Sequence, residues 1–205
     1  MSAVLPSELD PELSADRLQL IAQQMLDVLH GALADTQTED DCAYTRGSLV
    51  WGRIRNSLMR LIRARRNRWL TVRHSGNDLV IGIGPHAARF FVDDHLRPRK
   101  LRVFLPTEGE AQQLLLNLPG VGDRDVVLWR FFIEKARTDQ EEHRVYFVGY
   151  NAAHEIVASW CYTEGVRAFV ASDSYIPAPV VLDPIELEPL EDESHQDDAH
   201  ESRHP

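Results

Sequence analysis

Between Leu18 and Leu33 the apolar residues recur at steps of three and four: Leu18, Ile21, Ala22, Met25, Leu29, Ala32 and Leu33. That period sets them on one face of a helix, with Gln19, Gln23, Asp27 and His30 on the other. The spacing predicts a helix from Ser14, as N-cap, to about Ala34. A polar loop, "ADTQTEDDC", follows. A second helix is predicted from about Gly47 to Arg66, where Val50, Trp51, Ile54, Leu58, Leu61 and Ile62 share an arc of about 120°. Arginines fan out over the rest of its surface. Arg65 projects into the apolar arc itself, so the helix is expected to fray there or the side chain to snorkel.

Beyond this helix the period changes to two. "WLTVRH" and "DLVIGI" flank the turn-rich "SGN" and read as a hairpin. "ARFFV" and "KLRVFL" read as further strands separated by "DDHLRPR". Thr107 and Glu110 have the spacing of a capping box, which starts a short helix running to about Leu118. "VVLWRFFIE", "HRVYFVGY", "EIVASWCY" and "VRAFVA" complete the series, and their short links favour antiparallel neighbours. The expected architecture is α+β. Two N-terminal helices pack on a mainly antiparallel sheet of about seven or eight strands with one inserted short helix, all within residues 14–172. The apolar faces of the two helices are the natural cover for one face of the sheet. Residues 1–13 read as a flexible leader. Residues 173–205, proline-rich and then acidic, read as a largely disordered tail.

Composition leaves that picture intact. A chain of 205 residues, 43% hydrophobic and 26% charged, is ordinary for a soluble domain. No apolar run approaches the roughly 20 residues that span a bilayer, and the first residues lack the basic and apolar regions of a secretory signal. Cys42 and Cys161 are far apart and outside any CxxC pattern, so neither a zinc knuckle nor a disulfide framework is indicated. These features predict a cytoplasmic protein with no membrane partner.

Charge changes the picture. The net charge is -10, yet residues 44–105 hold fourteen basic and three acidic residues, while residues 1–43 and 183–205 hold nine acids each and one arginine each. Of the 22 basic residues, all but Lys100 and Lys135 are arginine, a preference that codon bias in a GC-rich bacterium would also produce. The stretch "WGRIRNSLMRLIRARRNRW" holds seven arginines and no acid. Arg53, Arg55, Arg60, Arg63, Arg66, Arg68 and Arg73, with Arg97, Arg99 and Lys100 from "RPRK", are the candidate nucleic-acid-binding residues. If the loop lies near the helix, the two groups form one patch that neutralises phosphates and releases counterions. The acidic tail, tethered to such a patch, is expected to compete weakly with anionic ligands.

The remaining motifs are weaker. "GIGPHA" satisfies G-x-G-x-x-A formally, but Pro85 and the strand after it point to a tight bend, and no nucleotide site is assigned. Asp93, Asp94 and His95, just past a strand, are the candidate ligands of a divalent cation; a solvated turn accepting backbone donors is the plainer reading. Glu134 and Lys135 are adjacent, whereas strand geometry asks for one residue between two side chains on the same face. His143 and His154 flank one hairpin. Trp51, Trp129 and Trp160 sit in apolar runs and read as core, while Trp69 follows the arginine block and is the one placed to face outward.

The sequence therefore favours a non-catalytic bacterial regulatory protein that binds a polyanion, nucleic acid above all, and requires no cofactor. The alternative is an immunity, adaptor or inhibitor module whose arginine face meets an acidic protein surface. A third reading is a metal-dependent nuclease or nucleotidyl transferase built on Asp93 and Asp94. It stands only if those residues and a histidine converge in a cleft.

Overall fold

The computed structural model describes residues 3–36, 38–76, 78–108, 110–111, 125–136, 138 and 140–164. Within them the fold is α+β. A short helix α1 (Pro6–Leu9) leads into α2 (Ala15–Ala34) and α3 (Ala43–Arg63). A six-stranded mixed sheet follows in the order β1 (Leu70–His74), β2 (Val80–Ile83), β3 (His86–Phe91), β4 (Leu128–Glu134), β5 (Arg144–Tyr150) and β6 (Ile156–Thr163).

The two long helices cover one face of the sheet, as their apolar stripes predict. Leu18, Ile21, Met25 and Leu29 of α2 and Val50, Ile54 and Leu58 of α3 are fully buried. They form one core with Ile81, Ile83, Phe90, Phe131, Ile133 and Phe147 of the sheet. Trp51 is half-buried and lies over Phe90, with ring centroids 6.4 Å apart. Helix α3 ends at Arg63, and Arg65 leaves it with φ of 53°. The left-handed residue turns the chain at the point where a further helical turn would drive an arginine into the core. Leu58→Ala is expected to cost about 2–5 kcal/mol, the usual range for truncating a buried leucine. Urea denaturation checks this; a midpoint within error of wild type would mean that α3 is not the lid.

Four of the five strand pairings are antiparallel, and β3–β4 is parallel. A parallel neighbour requires a crossover, and residues 92–127 supply it. The described part of that crossover covers the second face of the sheet. There Phe91, Leu128, Phe132, Val148 and Tyr150 pack with Val103 and Phe104. β4 is consequently buried on both sides, which is why "LWRFFIE" shows no polar alternation.

Three expectations need correction. Among the described residues the sheet has six strands, not seven or eight. "KLRVFL" is not a strand: its residues Leu101–Val103 form a 3₁₀ turn. Its alternation comes from Val103 reaching down to the sheet while Leu101 and Leu105 stay exposed. Residues 3–13 are not a free leader. Val4 pairs with the edge strand β6, and Leu13 is fully buried in the core. The capping box is present, since the Thr107 amide donates to Glu110 Oε2 at 2.8 Å and the Glu110 amide donates to Thr107 Oγ1 at 3.3 Å. The rest of that helix, the "VRAFVA" segment and the acidic tail lie outside the described residues.

Candidate functional site

Helix α3 buries its apolar arc, so its arginines divide by what surrounds them. Arg53 pairs with Asp35 at the end of α2. Arg55 donates to the carbonyls of Ser75 and Gly76, and Arg73 donates to the Gly84 carbonyl at 2.9 Å. Each of these three is engaged within the fold through part of its guanidinium. Arg60, Arg63, Arg65, Arg66 and Arg68 are exposed, and none has a hydrogen-bond or ion-pair partner among the described residues. They cluster where α3 ends and the chain turns into β1. Two of them, Arg60 and Arg63, lie in the last turn, where the helix dipole favours positive charge. Trp69 does not face outward with them: it is half-buried against the core, with the Arg17 guanidinium 5.2 Å from its ring centre.

Arg97, Arg99 and Lys100 lie elsewhere. Lys100 and Arg102 come together with Trp51 and Phe91, at the far end of β3 from Gly84. Lys100 and Arg46, in the first turn of α3, both act electrostatically on Lys135. From Arg46 to Arg63 the helix rises about 25 Å. The two basic groups therefore sit at opposite ends of α3 and do not merge into one patch.

The second group borders a cleft of about 700 Å³ at the ends of β3 and β4, lined by Asp93, Asp94, Arg97, Arg99, Lys100, Glu134 and Lys135. Asp93 and Asp94 build the loop. Asp93 Oδ1 accepts from the Asp94 amide, and its Oδ2 accepts from the amides of Arg99 and Lys100 at 2.9 and 3.2 Å. Asp94 Oδ1 accepts from the amides of Leu96 and Arg97 at 2.8 and 3.1 Å. This is the plainer of the two readings for such residues.

His95 finds a partner that the sequence reading had set aside. Its backbone amide and its ring Nδ1–H both donate to Glu134 Oε1, at 2.8 and 2.6 Å. The ring stacks on Tyr146 with centroids 3.7 Å apart, and the Tyr150 hydroxyl donates to the His95 carbonyl at 3.2 Å. Burial raises the Tyr146 phenol above its ordinary range and pushes Tyr150 up to about 12, with Asp93 adding to that shift and Arg130 opposing it. Both tyrosines are therefore neutral donors at physiological pH.

Donor atoms of Asp94, His95 and Glu134 lie within 4.8 Å of one another, so the convergence required of a metal site is met with Glu134 in place of Asp93. The observed bonds engage all three residues within the protein: Glu134 accepts from His95, and Asp94 accepts from two amides. Glu134 and Lys135 line one cleft although they are adjacent. β4 stops at Glu134, so strand alternation does not separate them.

Two further motifs resolve simply. "GIGPHA" is the tight turn between β2 and β3, with Gly84 at φ of 55° and no helix following. His143 and His154 sit at opposite ends of β5. His143 lies 5.0 Å from the His30 ring, and His154 stacks on Phe104 at 4.9 Å.

Two arginines escaped the sequence reading altogether. Arg89 and Arg130 are register partners on β3 and β4, buried side by side on the second face. Arg130 donates to Glu110 through both terminal nitrogens, at 2.6 and 3.3 Å, and through Nε to the Val103 carbonyl at 2.8 Å. Arg89 pairs with Asp78 at 3.0 Å and donates to the carbonyls of Arg102 and Leu105. Together they fasten the crossover to the sheet and so fix the base of the loop that carries Arg97, Arg99 and Lys100.

No protein-family model matches the chain, and neither a curated protein nor a solved structure compares significantly with it.

Proposed function

We propose that this protein is a non-catalytic, cytoplasmic regulatory protein that binds a polyanion, nucleic acid above all, through the arginine-rich end of α3. The observation that carries this reading is the set Arg60, Arg63, Arg65, Arg66 and Arg68, exposed and without internal partners among the described residues. Five guanidinium groups within nine residues match the spacing of successive phosphates better than that of one small ligand, and their planar forks suit phosphate oxygens. The turn at Arg65 splays them off the helix axis, so they present a broad face. No described helix is long and apolar enough to cross a membrane, and the apolar arc of α3 is already buried against the sheet.

The test is a fluorescence-polarisation titration of labelled single- and double-stranded oligonucleotides against wild type and the Arg63→Ala/Arg65→Ala/Arg66→Ala variant. Each lost phosphate contact should lower the slope of log affinity against log salt by about 0.9 on duplex DNA and about 0.7 on single strands. The variant is expected to bind at least tenfold more weakly at about 50 mM salt, with its melting temperature unchanged. Equal affinity and equal salt slope would refute the reading. If the same variant loses an acidic protein partner and wild type binds no oligonucleotide, the adaptor reading replaces it.

A further inference from the structure

We propose that the cleft between the Asp93–Lys100 loop and the end of β4 binds a small phosphate-bearing anion at a site separate from the arginine-rich end of α3. Its size and its charge layout lead there. At about 700 Å³ it falls within the range of small-molecule sites and has room for a nucleotide-sized ligand. Its acidic and basic side chains have different duties. Both oxygens of Asp93 and Oδ1 of Asp94 accept backbone amides of the loop, and Glu134 is committed to His95. These carboxylates shape the loop and orient His95. Lys100 Nζ donates to the Val92 carbonyl at 3.3 Å, and Arg97, Arg99 and Lys135 line the cleft beside it.

Lys135 is the centre of the argument. It follows β4 directly, is half-buried, and its ammonium has no hydrogen-bond or ion-pair partner among the described residues. Burial lowers its pKa, and the neighbouring charges of Arg46 and Lys100 lower it further. A partly desolvated ammonium beside two other cations is an unfavourable arrangement that a bound anion relieves. Arg97 and Arg99 border the same cleft from the opposite loop. Guanidinium forks and ammonium groups converging on one space suit phosphate oxygens, which offer several acceptors and up to two charges per group. A lone carboxylate satisfies fewer of these donors, so the expected ligand carries a phosphate or diphosphate.

This site stands independently of the polyanion reading, since it lies about 25 Å along α3 from Arg63 and uses none of Arg60, Arg63, Arg65, Arg66 or Arg68. The experiment is isothermal titration calorimetry of the full chain with inorganic pyrophosphate and with ADP, in metal-free buffer, with citrate as a control of similar charge. Pyrophosphate or ADP is expected to bind at one site per chain. Lys135→Ala and Arg97→Ala/Arg99→Ala should each weaken that binding at least tenfold without lowering the melting temperature by more than a few degrees. The Arg63→Ala/Arg65→Ala/Arg66→Ala variant should bind pyrophosphate as wild type does. Lys135→Arg, which keeps the charge, should retain most of the affinity. Absence of binding by both probes, unchanged affinity in a folded Lys135→Ala protein, or citrate binding as tightly as pyrophosphate would each overturn the proposal.

Discussion

Replacing Arg130 by alanine is expected to destabilise the protein by about 3–5 kcal/mol, the usual cost of breaking a buried ion pair by removing one partner. Arg130 is fully buried and Glu110 nearly so. The pair is bidentate, so truncation leaves a buried carboxylate without its counter-charge and leaves the Val103 carbonyl without its 2.8 Å donor. Burial draws the guanidinium's pKa downward and Glu110 works against that, a balance that survives only while both are present. For a chain of this size the loss corresponds to a fall in melting temperature of about 10 °C. The double variant Arg130→Met/Glu110→Leu should recover most of it, because it removes both charges and refills the volume. What remains should be about 1–3 kcal/mol, for the unserved Val103 carbonyl and for the Thr107 amide and hydroxyl that lose Glu110 as acceptor. Chemical denaturation of the three variants checks this. A single variant within 1 kcal/mol of wild type would mean that water reaches the pair.

The same pair marks the limit of what could be read from sequence. Hydrophobic period identified α2 and α3 and marked Arg65 as the point where the helix frays or the side chain snorkels, because these depend on local sterics and one apolar face; fraying is what the structure has. Turn chemistry identified the β1–β2 hairpin and cap spacing the Thr107–Glu110 box, both equally local signals. Hydrophobic period could not give the parallel β3–β4 pairing, since period two records which residues share a face and says nothing of which strand lies alongside. Arg89 and Arg130 were invisible because an arginine in a sequence is read as a solvent-facing residue. A signal was present: Arg130 is flanked by Leu128, Trp129, Phe131 and Phe132, with no polar position between them. A strand apolar on both faces is covered on both faces, so the charge in its middle must be buried and must have a carboxylate partner.

At the cleft the sequence pointed to Asp93, Asp94 and His95 by their position after a strand. Glu134 and Lys135 were set aside by a rule of strand alternation that ceases to apply one residue beyond a strand's end. The arginine count likewise merges residues with different surroundings. Arg53, Arg55 and Arg73 are bound to the protein itself, a division that charge density along the chain cannot reveal. Arg60, Arg63, Arg66 and Arg68 are among the candidates named from the sequence, whereas Arg65, expected in the apolar arc, is exposed beside them because the helix ends before it.

Deleting residues 1–13 is expected to destabilise the fold by at least the 2–5 kcal/mol of a lost buried leucine, although their composition suggests a dispensable leader. Leu13 is fully buried in the main core and Pro6 is buried as well. The Val4 amide donates to the Val157 carbonyl at 3.1 Å and the Val4 carbonyl accepts from the Ser159 amide at 2.9 Å, covering part of the β6 edge. Asp10 ties the segment to the start of β3 through His86, at 2.7 Å. The Glu12 amide, first, and then His86 hold the Asp10 carboxyl below its ordinary value of 3.8. A carboxylate whose pKa is lower in the folded state stabilises that state above its unfolded pKa, and the contribution disappears as pH falls through the lowered value. The cost of Asp10→Asn should therefore be present at about pH 7 and shrink below about pH 4. The cost of deletion should keep its larger, pH-independent part from Leu13. Thermal melts of wild type, Asp10→Asn, Leu13→Ala and the truncated chain at pH 7 and pH 3.5 separate the two contributions. A truncated protein melting within 2 °C of wild type at pH 7 would return residues 1–13 to the role of a free leader.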